Sequence, residues 1–367
     1  MNIGINTRLL LKNRLEGIGR FSFESLKELV KLRPNDQFFF FFDRAFDPKF
    51  VFANNITPIV VGPPTRHPIL WYIWFDYQLP RLFKTHQIEL FLSPDGYLSL
   101  KTDVKQLTVL HDINFIHNEN LVKGWAGRYF RSKFPKFAHK AERLLTVSQF
   151  CVKDISEHLA VPETKIDVCY NGISSVFLDA KPTKHPRKKP FFLFYGALNP
   201  RKNLEGLFQA FDTFKTNHPS DYELIIIGKK MNWTQEMQSS FEVMKHKNEV
   251  IFMGRLADEE LISYLQHAQA LTFVSLFEGF GIPIIEAQAV GCPVICSNTS
   301  ALPEIAGEAA HFVNPKSTEE IAKALYLLAS DEKYRTELIQ KGKENYTRFS
   351  WLDVAKRINQ SIDMCLC

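Results

Sequence analysis

Five consecutive phenylalanines, Phe38 to Phe42, follow Gln37. A strand that is apolar at every position has no face to give to water, so it must be covered on both sides. A parallel sheet with helices on both faces provides that cover. The run is one of a series. Residues 2–6, 59–61, 90–92, 106–110, 143–148 and 166–170 are further short apolar segments. Between the first two runs, Phe21, Leu26, Leu29 and Val30 fall at helical spacing. A second series follows at 191–195, 223–227, 250–252, 270–274 and 293–296. Alternation of strand and helix, carried out twice, predicts an α/β chain of two doubly wound, Rossmann-like domains facing across a cleft.

The stretch between the two series, 181–190, is rich in Pro, Lys and Arg and has no periodicity, as a linker would. Asn171-Gly172, just before it, reads as a turn. The predicted boundaries are 1–178 for the first domain, 179–190 for the linker and 191–348 for the second domain. The closing segment, 349–367, reads as a helix from Trp351 to about Met364. At 367 residues, two domains are favoured over one.

The net charge of +5 is unevenly spread. Residues 1–175 hold 23 Lys and Arg against 17 Asp and Glu, and the remainder 22 against 23. The first domain is therefore the basic one, which points to an acidic partner there. The six cysteines include no Cys-x-x-Cys pair and no accompanying His cluster, so they read as reduced thiols rather than a zinc site. No apolar run reaches transmembrane length, and no secretory signal is legible. The expected location is cytoplasmic.

Chemistry concentrates in residues 275–286. An apolar strand leads into Glu278-Gly279-Phe280-Gly281-Ile282-Pro283, and Pro283 suits the first turn of a helix beginning near Ile282. Two glycines leave backbone N–H groups bare beside a helix N-terminus, which makes an anion site. Glu278 and Glu286, with seven residues between them, flank it. Carboxylates accept from sugar hydroxyls while the helix end takes negative charge, so the ligand would carry both. The plain alternative is a tight turn and a solvated helix glutamate.

A second charged loop follows the strand at 191–195. Gly196 and the adjacent Arg201 and Lys202 suit a diphosphate, which they would neutralise directly as a leaving group. Gly17 and Gly19 follow the first strand and precede a helix, although two glycines alone are equally a plain strand-to-helix turn. His111, before Asp112, closes the apolar run at 106–110, the strand end where ligands bind in such folds. A lone His is also commonly structural. Residues 121–143 carry Lys123, Arg128, Arg131, Lys133, Lys136, Lys140 and Arg143 interleaved with Trp125, Tyr129, Phe130, Phe134 and Phe137, interrupted at Pro135. Such a segment suits an anionic membrane surface, or else is a solvated face over a packed one. Residues 67–84 are helical and aromatic in pattern, fit for packing, an acceptor groove or a bilayer surface. No recognition motif accompanies the charge, so nucleic acid is not an expected partner.

The string Glu-Gly-Phe-Gly-x-Pro-x-x-Glu at 278–286, six fixed residues at fixed spacing, resembles the signature of the family 4 retaining glycosyltransferases. His111-Asp112, Val147-Ser148, the Arg201-Lys202 loop, 300–304 and 313–315 continue the family pattern along most of the chain. The resemblance implies the GT-B fold, with the terminal helix crossing back to the first domain. It implies a nucleotide-sugar donor, held by Glu286 at the ribose and by Glu278 at the sugar hydroxyls. The N–H groups of Phe280, Gly281 and Ile282, beside Gly279, would meet sugar and phosphate. Arg201 and Lys202 would take the diphosphate, with Gly196 before them. Gly17 and Gly19 would lie under it, and Leu256 in the loop after 250–254 would meet the base. His111 would approach the sugar. Glu278, His111, Arg201 and Lys202 are then the candidate catalytic residues.

The resulting expectation is a retaining, metal-independent hexosyltransferase with no cofactor. The chain has no Asp-x-Asp triplet to hold a metal. The pattern favours mannosyltransferases of bacterial polysaccharide pathways, with GDP-mannose as donor and UDP-glucose as rival. A glucosyl- or rhamnosyltransferase of the same family is the nearest alternative. The acceptor would be a glycan or lipid-linked, and the enzyme peripheral on the inner face of the cell membrane through 121–143. A sugar-nucleotide epimerase of the same fold and a non-catalytic sugar-nucleotide-binding protein are further alternatives. A glycoside hydrolase would use paired carboxylates but has no need of Arg201 and Lys202. An NAD enzyme is disfavoured, because no full Gly-x-Gly-x-x-Gly follows either first strand.

Overall fold

A computed structural model of the chain describes residues 1–12, 15, 17–117 and 124–366. Glu16 of the first loop, Leu121 and Lys123 of the basic segment, and Cys367 lie outside the described residues. The chain divides into two compact units, Met1–Gly172 with Ser350–Cys367, and Ile173–Phe349.

The first unit holds seven parallel strands. They are β1 (Asn2–Asn6), β2 (Gln37–Phe42), β3 (Ile56–Val60), β4 (Leu90–Ser93), β5 (Lys105–Val109), β6 (Arg143–Thr146) and β7 (Ile166–Val168), in the order β3-β2-β1-β4-β5-β6-β7. The phenylalanine run is β2, and it is covered on both faces. Phe38, Phe40 and Phe42 enter a core with Leu26, Leu29, Val354 and Ile358. Phe41 points the other way, onto Phe83 at 5.9 Å. Fully burying one such side chain is worth roughly 2–3 kcal/mol, so the run commits this unit to a two-sided sheet. The terminal helix Trp351–Leu366 packs along Ile18–Leu32 and belongs to this unit. Arg33 clamps the pair, donating to Asn359 Oδ1 at 2.8 Å and Asp363 Oδ1 at 2.7 Å.

The second unit holds six parallel strands. They are β8 (Phe191–Tyr195), β9 (Glu223–Ile227), β10 (Val250–Gly254), β11 (Leu271–Phe273), β12 (Val294–Ser297) and β13 (His311–Val313), in the order β10-β9-β8-β11-β12-β13. The strand order reverses between β8 and β11. Loops leaving neighbouring strands on opposite sides of such a point open a crevice at the C-terminal edge of the sheet. The loops in question are 196–203 and 274–281, the two singled out by their chemistry.

Several local features differ from the sequence reading. Pro135 does not interrupt its segment: the helix Gly124–Lys140 runs through it. Phe134 and Phe137 on either side are buried, and their burial outweighs the lost hydrogen bond. Residues 67–84 are not one regular helix. Pro68–Ile73 and Leu79–Thr85 are joined by a π-turn, Trp74–Gln78, whose wider winding comes just before Pro80, a residue that cannot donate to the ladder. Asn171-Gly172 is not a hydrogen-bonded turn. Gly172 is small because a Cβ there would sit 2.5 Å from the Trp351 backbone nitrogen. Residues 173–178 fall in the second unit, where Ser175–Leu178 packs on Asp258–His267 and Ile282–Ala289. The helix Thr318–Ser330 is capped by Ser317, whose Oγ accepts from Glu320 N at 3.2 Å. Among the described residues, no helix is long and apolar enough to cross a membrane.

Candidate active site

The loop after β8 turns at Asn199–Asn203 through a short 3-10 segment, Pro200–Lys202. Two ties lock it to the loop after β11. Leu276 N donates to Arg201 O at 2.9 Å. Asn203, in the left-handed region at φ 56°, donates from Nδ2 to Val274 O at 3.1 Å and Pro315 O at 2.7 Å. Sequence adjacency therefore becomes spatial convergence: Arg201 and Lys202 project toward Glu278.

Glu278 sits between the two cations. Oε2 accepts from Arg201 Nη1 at 2.5 Å and Oε1 accepts from Lys202 Nζ at 2.6 Å. The same guanidinium nitrogen also donates to Phe277 O at 2.8 Å. Lys202 and Glu278 are both buried, and the ammonium lies 4.5 Å from the Phe273 ring centroid. Burial alone would raise the Glu278 pKa. The charges of Lys202 and Arg201 outweigh it, so the carboxyl lies below its ordinary value of 4.5. The Glu278 carboxylate is therefore ionised at neutral pH. Glu278 N is fixed in turn by Ser300 Oγ at 3.1 Å.

The helix Ile282–Ala289 begins immediately after, with Pro283 in its first turn and Gly281 at its cap. Gly281 has φ 120°, and a Cβ there would meet Leu302 Cδ2 at 2.9 Å, so only glycine fits. Phe280 is buried and meets Phe349 edge-on at 5.6 Å. One turn into the helix, Glu286 is buried and accepts from the Tyr195 hydroxyl at 2.6 Å. Tyr195 ends β8, so the helix glutamate is anchored to the strand across the switch point. The structure thus brings Arg201, Lys202, Glu278, Gly279, Phe280, Gly281, Ile282 and Glu286 into one neighbourhood. Gly196 follows β8 with φ 142°, and its N–H donates to Ile227 O at 2.9 Å. Leu256 lies partly exposed in the loop after β10, at the same edge of this sheet.

The remaining candidates are in the first unit. Gly17 caps Ile18–Leu32 at φ 47°, and Gly19 is buried where a Cβ would meet Leu9 O at 2.8 Å. His111 follows β5. Its Nε2 donates to Pro94 O at 2.9 Å, because a carbonyl can only accept, and Phe21 meets the ring edge-on at 4.8 Å. Burial holds its pKa below the ordinary 6.5, so the imidazole is neutral at pH 7.

Sequence reading missed Tyr195, Asn203 and Ser300 in the second unit. A hydroxyl closing an otherwise apolar strand was the available signal for Tyr195. It also missed a polar knot at the edge of the first sheet. Buried Arg8 donates to Asp95 Oδ2 at 2.6 Å, and Asn6 donates to Asp95 Oδ1 at 2.7 Å. The Arg8 guanidinium lies 4.1 Å from the Tyr97 ring centroid. The aromatic residues of 67–84 and 121–143 mostly pack on each other: Trp71 stacks on Phe130 at 5.5 Å, and Tyr97 meets Phe134 at 5.0 Å. Trp125 stays 73% exposed.

A switch-point crevice with a cationic pair, a helix N-terminus and two buried carboxylates has the chemistry that suits phosphorylated, hydroxylated ligands. Comparison with known proteins narrows the class. Residues 177–345 match the family described as Glycosyl transferases group 1, and residues 16–176 match Glycosyltransferase Family 4. The chain is 24% identical over 360 residues to the O-antigen chain mannosyltransferase B of Escherichia coli, covering 93% of this chain and 94% of that protein. It is 29% identical over 285 residues to the O-antigen chain mannosyltransferase RfbU of Salmonella typhimurium, covering 76% of each. A glycosyltransferase structure from Rickettsia africae superposes with a TM-score of 0.74 at 16% identity, covering 100% of this chain and 98% of that one. The two family matches adjoin, and the chain belongs to the group 1, family 4 glycosyltransferases of the GT-B fold.

Proposed function

We propose that the protein transfers mannose from GDP-mannose to a glycan or lipid-linked acceptor in cell-surface polysaccharide synthesis, with retention at the anomeric carbon and no metal required for the transfer. The observation that carries this reading is the Arg201–Glu278–Lys202 cluster at the second sheet's switch point. Its two cations and the adjacent helix N-terminus suit a diphosphate, whose departing negative charge they would stabilise. Glu278 would exchange part of its contact with the cations for the donor sugar's hydroxyls. Glu286, oriented by Tyr195, would accept from the ribose hydroxyls. Gly279 to Ile282 would present N–H groups to sugar and phosphate, with Gly196 beneath the diphosphate and Leu256 against the base. The donor phosphate would take the acceptor's proton.

Mannose and a polysaccharide pathway are favoured because both relatives quoted above are O-antigen chain mannosyltransferases by name. A membrane-held acceptor is favoured by the helix Gly124–Lys140, where Arg128 is exposed beside Trp125 and Lys136 is exposed further along. The test is incubation with GDP-mannose, UDP-glucose and dTDP-rhamnose and a lipid-linked acceptor, with and without EDTA. Product mass and anomeric configuration are the readouts. A mannosylated product of unchanged anomeric configuration, formed equally in EDTA, is expected. Inversion, loss of activity in EDTA, or preference for another donor would each remove the corresponding part of the proposal.

A further inference from the structure

A second cluster lies in the first unit, away from every residue assigned above except the segment that follows His111. His117 ends the short helix Asn114–His117. Asp154 and His158 stand four residues apart on Gln149–Leu159, and so share one face of it. His117 Nε2 is 2.7 Å and His158 Nδ1 3.4 Å from the same oxygen, Asp154 Oδ1. The two imidazoles meet edge to face at 4.6 Å. One ligand atom from each of the three residues falls within 4.8 Å of the others.

The carboxylate gives the second, independent observation. Asp154 is only 7% exposed, and its Oδ2 is buried with no hydrogen-bond partner. Leaving such an oxygen unmatched costs on the order of 1–3 kcal/mol. A cation held among the three groups would place a positive charge beside this buried carboxylate. His158 already has an orienting partner: Nδ1 donates to Asp154 O at 3.0 Å, which leaves the lone pair on Nε2.

We propose that His117, Asp154 and His158 form a site for a divalent transition-metal cation, zinc foremost. Two imidazoles and one carboxylate are a ligand set for zinc and its neighbours. Magnesium and calcium prefer all-oxygen shells. Bound there, the ion would pin the segment leaving β5, which carries His111 and Asp112, onto Gln149–Leu159. Cys151 on the same helix already reaches the His111 carbonyl, with Sγ 3.5 Å from it. The ion would be a structural brace with no part in the transfer step, so the proposal is independent of how the donor site is read.

The test uses full-length protein stripped with a chelator and titrated with zinc chloride by calorimetry, and with cobalt(II) by visible absorption. Wild type should bind one zinc per chain, show the d–d absorption of bound cobalt, and melt several degrees higher with zinc. His158→Ala and Asp154→Asn should each bind zinc roughly tenfold more weakly or worse. Because Asp154→Asn keeps the size of the side chain, it guards against a His158→Ala variant that fails to fold. Absence of one-to-one binding in wild type would overturn the proposal. So would wild-type affinity in the His117→Ala/His158→Ala double variant. Either result would make the cluster a plain hydrogen-bonded knot.

Discussion

Glu278 and Lys202, 76 positions apart in sequence, share a 2.6 Å ion pair that is buried at the switch point of the second sheet. Arg201 completes it from the other carboxylate oxygen at 2.5 Å. Removing the carboxylate leaves two neighbouring cations with their shared counter-charge gone. Losing one partner of a buried pair costs roughly 3–5 kcal/mol. Glu278→Gln should therefore lower the denaturant midpoint at pH 7 clearly, and abolish transfer as well. A variant of wild-type stability would show that the pair is not formed in solution.

The same pair predicts a pH dependence. The folded-state pKa of Glu278 lies below its ordinary 4.5, so its stabilising contribution is complete above about that value. It is lost as pH falls from there through the folded pKa. Melting curves of wild type and Glu278→Gln should differ at pH 7 and converge progressively below about pH 4.5. A gap that stays constant down to pH 3 would contradict the assignment.

Tyr195 holds Glu286 by a hydrogen bond to a charged acceptor, a class worth roughly 1.5–3 kcal/mol. Tyr195→Phe removes this hydrogen bond without changing the strand. On the ribose reading, the variant should bind GDP about tenfold more weakly, while 2′-deoxy-GDP, already weak, changes little. Equal weakening of both nucleotides would place Tyr195 in packing only.

Burial depresses the His111 pKa, so below the ordinary 6.5 the unfolded chain takes up the proton first and the fold loses stability as pH falls. The His111 imidazole resonances should stay those of a neutral ring at pH 6.5. A midpoint above 6.5 would reverse the assigned environment.

The exposed ring of Trp125, with the Arg128 guanidinium 5.9 Å from its centroid, is the strongest surface feature of the basic helix. Each basic residue near an anionic surface contributes about 1 kcal/mol. Co-sedimentation with phosphatidylglycerol vesicles should be strong at low salt, weaker in Trp125→Ala and absent with phosphatidylcholine alone. Indifference to lipid charge would remove the membrane from the account.

The legible parts of the chain were those whose physics is local. An all-apolar strand such as 38–42 announces a two-sided parallel sheet, and glycines followed by Pro283 announce a loop that turns straight into a helix. Illegible were relations made by register between distant strands. Nothing near Tyr195 indicates that β8 and β11 are neighbours, and the Tyr195–Glu286 bond depends on that adjacency. The direct neutralisation of Arg201 and Lys202 by Glu278 was hidden for the same reason. Pro135 misled because local propensity was outweighed by the burial of Phe134 and Phe137.

The central claim is that the Arg201–Glu278–Lys202 cluster receives the diphosphate of a nucleotide sugar. A thermal-shift screen against GDP, UDP, ADP, dTDP and their common hexose conjugates tests it most directly. The account predicts that GDP and GDP-mannose raise the melting temperature of wild type, and that Arg201→Ala with Lys202→Ala abolishes the shift while the protein remains folded. No shift with any of them at millimolar concentration, or an undiminished shift in the double variant, would contradict it.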